Sequence, residues 1–214
     1  MHDGPPLDLP RAQQRAHWVQ RGLIGLVGLD VLVAVLLTVS WAVTTMAPDT
    51  WSVLGVLDAL DGAIDALDVP RRLVELGVRI GFLAWWAAVV ANARAISPAE
   101  FHVKTFFAIG IWLFPVVNLF APYQLARQIE RASGAEPAPT VPRWWGAFLA
   151  RGLVQGLVGR LVTGSSFGVQ TLQFVAGTAL SAVAAWYCVA FVRHIDEAQR
   201  RASVSAEEIA RVFE

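Results

Sequence analysis

The sequence predicts an all-α, polytopic membrane protein: a helical bundle with four to five membrane segments, the third Pro-broken or re-entrant, plus one amphipathic helix outside the membrane. Three observations carry this reading. Of 214 residues 56% are hydrophobic and only 16% charged, with a mean hydropathy of +0.52, which is not the composition of an ordinary soluble domain. Apolar runs long enough to cross a bilayer recur along the chain. One of them, IWLFPVVNLFAPYQLAR at 111–127, carries Pro115, Asn118 and Pro122 where a plain membrane helix would carry leucine.

Residues 1–22 read as a polar, proline-punctuated tail that leads into the first apolar run, GLIGLVGLDVLVAVLLTVSWAVTTMA. This run is longer than the apolar region of a signal peptide and is followed by no A-x-A site, so it is expected to be a retained anchor. From 48 to 69 the chain places Asp58, Asp61, Asp65 and Asp68 at three- and four-residue spacing, opposite Leu57, Leu60, Ile64 and Leu67. That pattern predicts an amphipathic helix. Its acidic face would be repelled by anionic lipid, so it is expected to cover the protein on the outer side. The second segment runs from about 73 to 93, with Glu75 and Arg79 at i, i+4.

The third segment starts at Thr105. Pro115 and Pro122 each lack a backbone donor, which frees carbonyls near the break for Asn118 to satisfy. Irregular backbone at membrane depth is tolerated when buried in protein, so 115–122 are expected to face other helices. The alternative is a full span kinked by its prolines. A polar linker then leads to Trp144 and Trp145, which open the fourth segment; SFGVQTLQFVAGTALSAVAAWYCVAFV is the fifth, and 194–214 form a charged helical tail. Residues 23–193 are thus read as a single integral membrane domain.

Basic residues choose among topologies, because cytoplasmic flanks carry their excess. If the third segment dips in and returns, only Arg71, Arg72, Arg79 and Arg160 lie outside and Arg151 lies in the membrane. Twelve of the 17 basic residues are then inside. The expected location is therefore the cell membrane, multi-pass, with both termini cytoplasmic.

Three of these stretches, FLAWWAAVVANARAISP at 82–98, IWLFPVVNLFAPYQLARQIERAS at 111–133 and RWW at 143–145, resemble the mainly actinobacterial membrane proteins catalogued as domain of unknown function 4328. The resemblance covers about 75–195 and is most specific in Trp112, Pro115, Asn118, Leu119 and Pro122. It implies a bacterial membrane protein with several spans and no known activity. The arginine-rich basic set, with Lys104 as its sole lysine, agrees with a GC-rich bacterial genome.

Ionisable and polar groups inside apolar segments are the candidate site residues, since they are costly there. Asp30 and Arg151 lie at similar depth and are expected to pair between segments one and four, with Gln155 one turn on. Asn92 and Asn118 are expected to bond across helices. Gly152, Gly156 and Gly159 with Gly177, Ser181 and Ala185 suit close helix packing, and homo-oligomerisation is a second use of such faces. Trp18, Trp144 and Trp145 are expected in an interfacial belt and Trp85 with Trp86 in the core.

No catalytic residue, cofactor or metal site is predicted. The four histidines lack HxxH spacing, and Cys188 is the only cysteine. Gly164, Ser165, Ser166 and Phe167 match a loose G-x-S-x pattern of intramembrane serine proteases, but His194 lies at the other end of segment five. Net charge is zero, so nucleic acid is not an expected partner; the lipid bilayer, a membrane protein or a second copy is. The favoured reading is a structural, interaction or regulatory membrane module, and the alternative a small transporter or channel component with a polar path at the broken segment.

Overall fold

The computed structural model describes residues 8–46, 51–162 and 165–212. The first seven residues of the expected N-terminal tail, residues 47–50, Thr163, Gly164 and the last two residues lie outside this set. Among the described residues every regular element is helical: α1 (Leu9–Met46), α2 (Trp51–Ile96), α3 (Thr105–Gly110), a 3-10 turn (Val117–Leu119), α4 (Ala121–Ala132), α5 (Thr140–Val162) and α6 (Phe167–Val212). Three stretches of the described residues, Leu9–Met46, Val53–Ile96 and Phe167–Ser205, are long and apolar enough to cross a membrane. That fits a membrane protein.

Helices extend further than composition suggested. The polar tail is helical from Leu9 onward, because Asp8 caps the first turn by accepting the Arg11 amide at 3.4 Å. Pro10 sits where a helix amide would be unpaired in any case. The acidic stretch 48–69 is not a separate element. Its described part, 51–69, forms the first portion of the 46-residue α2, which continues through Pro70; that proline only withholds one donor from the turn before it. The charged tail likewise continues α6 without a break as far as Val212.

The third segment is broken. After six residues of α3 the backbone turns through 111–116, makes the 3-10 turn, and restarts as α4 with Pro122 in its first turn. The prolines thus end one helix and begin another. Contrary to expectation, residues between them do not face other helices: Val116 is 73% exposed, Phe120 63%, and Phe106 on α3 88%. Pro122 is buried. The break is anchored instead by Ala108 and Ile111, both buried, and by Trp112 in the aromatic cluster, while Leu113, Phe114, Val116 and Phe120 point away from the protein interior. α4 ends on Gly134, whose φ of 66° favours glycine, with the Gly134 amide on the Arg131 carbonyl and the Ala135 amide on that of Glu130.

The chain divides into two compact units, and the boundary falls inside α1, α2, α5 and α6. Unit 1 comprises the chain up to Arg21, Val78–Gly146 and Tyr187–Glu214. In it α1 and α2 run antiparallel, since Arg15 donates to the Ala84 carbonyl and the Asp8 amide to Asn92 Oδ1. Its core is aromatic. Trp85, Trp86 and Phe191 are fully buried, and Trp144 stacks on Phe191 at 4.0 Å between centroids. Trp144 and Trp145 are buried in this cluster rather than set in an interfacial belt; Trp18 is exposed.

Unit 2 comprises Gly22–Gly77 and Ala147–Trp186. Here α1 meets α6 where Trp41 lies over Gly168. A Cβ at that glycine would come within 2.7 Å of the indole nitrogen, so the approach depends on glycine.

Candidate functional site

The two units hold different polar clusters, and the predicted site residues are divided between them. Asn92 and Asn118 lie in unit 1, Asp30 and Arg151 in unit 2.

In unit 1 the wide face of α2 presents Trp85, Val89 and Asn92 to α6. The Trp85 indole donates to Asp196 at 3.0 Å, and Gln199 donates to the Val89 carbonyl at 2.9 Å. Asn92, itself buried, donates to Gln199 Oε1 and accepts the Asp8 amide, so one carboxamide joins three stretches of chain. Asn118 does not bridge in this way. It is half-buried in the 3-10 turn, and its Oδ1 accepts no hydrogen bond among the described residues.

The most enclosed charge is Glu130 on α4, fully buried. Its carboxylate takes Arg127 at 2.6 Å, the Ala138 amide at 2.9 Å and His194 Nε2 at 2.8 Å. One side chain therefore ties α4 to the linker and to α6. Beside it a cleft of about 610 Å³ runs past Ser133, Gly134, Glu136, Arg193, His194 and Arg201. Acidic and basic groups alternate along it, which leaves no net bias toward an anion or a cation.

In unit 2 Asp30 is buried and accepts Arg71 Nε at 2.6 Å, and that guanidinium lies 5.8 Å from the Phe174 ring centroid. The expected pair with Arg151 is not formed: Arg151 donates instead to Ser181 Oγ at 2.9 Å, joined by Gln155 at 3.4 Å. The Ser181 hydroxyl in turn donates a hydrogen bond to the Gly177 carbonyl. The reason is packing order. α2 lies against α1 and brings its own arginine to Asp30, while α5 packs on α6 and finds hydroxyls there. An Arg71→Gln substitution therefore leaves Asp30 buried without its counter-charge. The expected cost is about 3–5 kcal/mol. A double-mutant cycle by denaturant unfolding should return a coupling of about 1–3 kcal/mol for Asp30 with Arg71, and near zero for Asp30 with Arg151.

Sequence reasoning missed Arg71, Glu130 and Gln199. Arg71 stood next to Arg72 and Asp68 in what read as an outer flank, and Gln199 lay in a tail read as solvated, so neither carried a local signal. The protease-like match gains nothing. Gly164 lies outside the described residues, and the His194 ring nitrogen is engaged by Glu130. Among the described residues no three His, Cys, Asp or Glu side chains are grouped to hold a metal ion.

A family model, Domain of unknown function (DUF4328), matches residues 49–197. The chain belongs to this family. No curated protein and no solved structure matches it. The three stretches that carry the resemblance meet in unit 1: Trp85, Trp86, Trp112, Trp144 and Trp145 pack against one another there.

Proposed function

We propose that the protein is a non-enzymatic structural and interaction module of the bacterial cell membrane. In this reading α1, α2, α5 and α6 cross the bilayer, and the segment from α3 to α4 dips in and returns on the cytoplasmic side, where both termini lie. The observation that carries it is the break itself. Six helical residues of α3 advance about 9 Å, far short of the roughly 30 Å hydrocarbon layer. The exposed Phe106, Phe107, Leu113, Phe114, Val116 and Phe120 then suit insertion among lipid chains. Filling of unit 1 by tryptophans supports a scaffold over a transporter, since a polar path needs room that this core does not leave.

Sidedness tests the reading. In a Cys188→Ser background, single cysteines at the exposed Met46, Glu136, Ser166 and Ser205 are treated in intact cells with a membrane-impermeant thiol reagent. Met46→Cys and Ser166→Cys should label at once, and Glu136→Cys and Ser205→Cys only after permeabilisation. Labelling of Glu136→Cys in intact cells together with Met46→Cys would place the third segment across the membrane and overturn the topology.

A further inference from the structure

The ion pair of Asp30 and Arg71 leaves other charges of unit 2 without counter-charges. Asp58, Asp61 and Asp65 on α2 and Arg160 on α5 are exposed, and among the described residues none of them forms an ion pair. Exposed charge on a helix surrounded by lipid is costly, so each needs an external partner.

Their heights can be compared within unit 2. α1 and α6 meet at Trp41 and Gly168 and, earlier in α1 and later in α6, at Gln20 and Arg193, so they run antiparallel and Asp30, eleven residues back from Trp41, lies level with about residue 179 of α6. Ser181, two residues on, holds Arg151. Asp30, Arg71 and Arg151 therefore share one level. Toward Trp41 from that level, α2 runs backwards and α5 forwards. Asp65 and Asp61 then lie about 9 and 15 Å away and Arg160 about 14 Å, at 1.5 Å per residue. Arg160 stands at a height between the two aspartates.

The surfaces around these charges are bare. Residues 55–61, GVLDALD, and 62–68, GAIDALD, repeat one heptad, which puts Gly55, Asp58, Asp61, Gly62 and Asp65 on one side of α2. On α5, Gly152, Gly156 and Arg160 follow at four-residue spacing and share a face. A Cβ added at Gly55, Gly62, Gly152 or Gly156 would meet nothing within 4 Å. Among the described residues, the close packing expected for Gly152 and Gly156 is thus not used.

We infer that these two faces bind each other between copies of the protein. The acidic glycine face of α2 in one copy lies on the Gly152, Gly156 and Arg160 face of α5 in a second copy, and Arg160 enters between Asp61 and Asp65. The inference rests on the reading that α2 and α5 stand in the bilayer. Copies related by rotation about the membrane normal keep their heights, so groups at equal height meet. Neither face can pair with itself, because like charges repel, whereas each is the complement of the other. Glycines let the two backbones approach closely enough for side chains as short as aspartate to reach the arginine. Such an interface is head-to-tail and joins unlike surfaces.

The test uses the full chain in lipid nanodiscs and reads its assembly by mass photometry and disulfide trapping. In a Cys188→Ser background, Asp65→Cys and Arg160→Cys chains bearing different tags should form a disulfide between tags when co-expressed, and neither should when expressed alone. Gly62→Leu or Gly156→Leu should abolish assembly while the protomer still folds, since the added side chain meets nothing in its own chain. Arg160→Asp should dissociate the assembly, and co-expression with an Asp61→Arg, Asp65→Arg chain should restore it. A monomeric wild-type protein, or an assembly that survives Gly156→Leu and Arg160→Asp, overturns the inference. Cysteine labelling of intact cells reads topology independently, so a monomer with the expected sidedness counts against this interface alone.

Discussion

Replacing Glu130 with alanine should lower the unfolding free energy by about 3–5 kcal/mol, because it strands a guanidinium and a backbone amide that this buried carboxylate satisfies. Glu130 is fully enclosed, and Arg127, His194 and the Ala138 amide converge on its two oxygens. The loss comes less from the pair's attraction than from the desolvated groups left behind. Glu130→Gln keeps the shape and one acceptor but cannot offer two oxygens, and should cost an intermediate amount, about 1–3 kcal/mol. Denaturant unfolding followed by circular dichroism in detergent provides the measurement. If Glu130→Ala unfolds like the wild-type chain, the carboxylate does not hold α4, the linker and α6 together.

Trp86→Ala should have an effect of similar size, about 3–5 kcal/mol, for a different reason. Trp86 is wholly buried, donates its indole N–H to the Ala108 carbonyl at 3.1 Å, and contacts Phe82, Trp112, Trp144 and Phe191. Truncation removes one of the two largest fully buried side chains of unit 1 and leaves a cavity that rigid aromatic rings cannot collapse to fill. Ala108 lies within α3, so the lost hydrogen bond also loosens the start of the broken segment. Trp18→Ala is the matching control. That residue is mostly exposed, and its loss should change stability by no more than about 0.5 kcal/mol. Equal effects of the two substitutions would mean that the aromatic cluster contributes nothing beyond surface coverage.

Both predictions concern residues whose roles were unevenly readable. Trp85 and Trp86 fall in mid-segment, and their burial is a sequence-level expectation that the core meets. Trp144 and Trp145 follow a polar linker and read as interfacial, yet the start of α5 packs against α2 and α6 and buries them. Glu130 sits in the polar stretch QLARQIERAS. Nothing in that stretch separates it from Arg127 and Arg131 around it until α4 turns one face, with Leu125, Ala126 and Ile129, into the core.

Composition and periodicity by themselves determined the helical class, the apolar segments and the place where the third one breaks. These are local properties: hydropathy sets which stretches can leave water, and proline lacks an amide wherever it stands. Which charge meets which was decided only by tertiary structure. Asp30 chose Arg71 over Arg151 because α2 packs beside α1, and Arg151 took Ser181 because α5 packs on α6. The acidic heptads of α2 read as a separate element until one continuous helix, Trp51–Ile96, joined them to the second apolar segment. A buried charge is satisfied by whatever donor the neighbouring helix carries at its height. That height depends on how helices dock along their whole length, which no short stretch of sequence encodes.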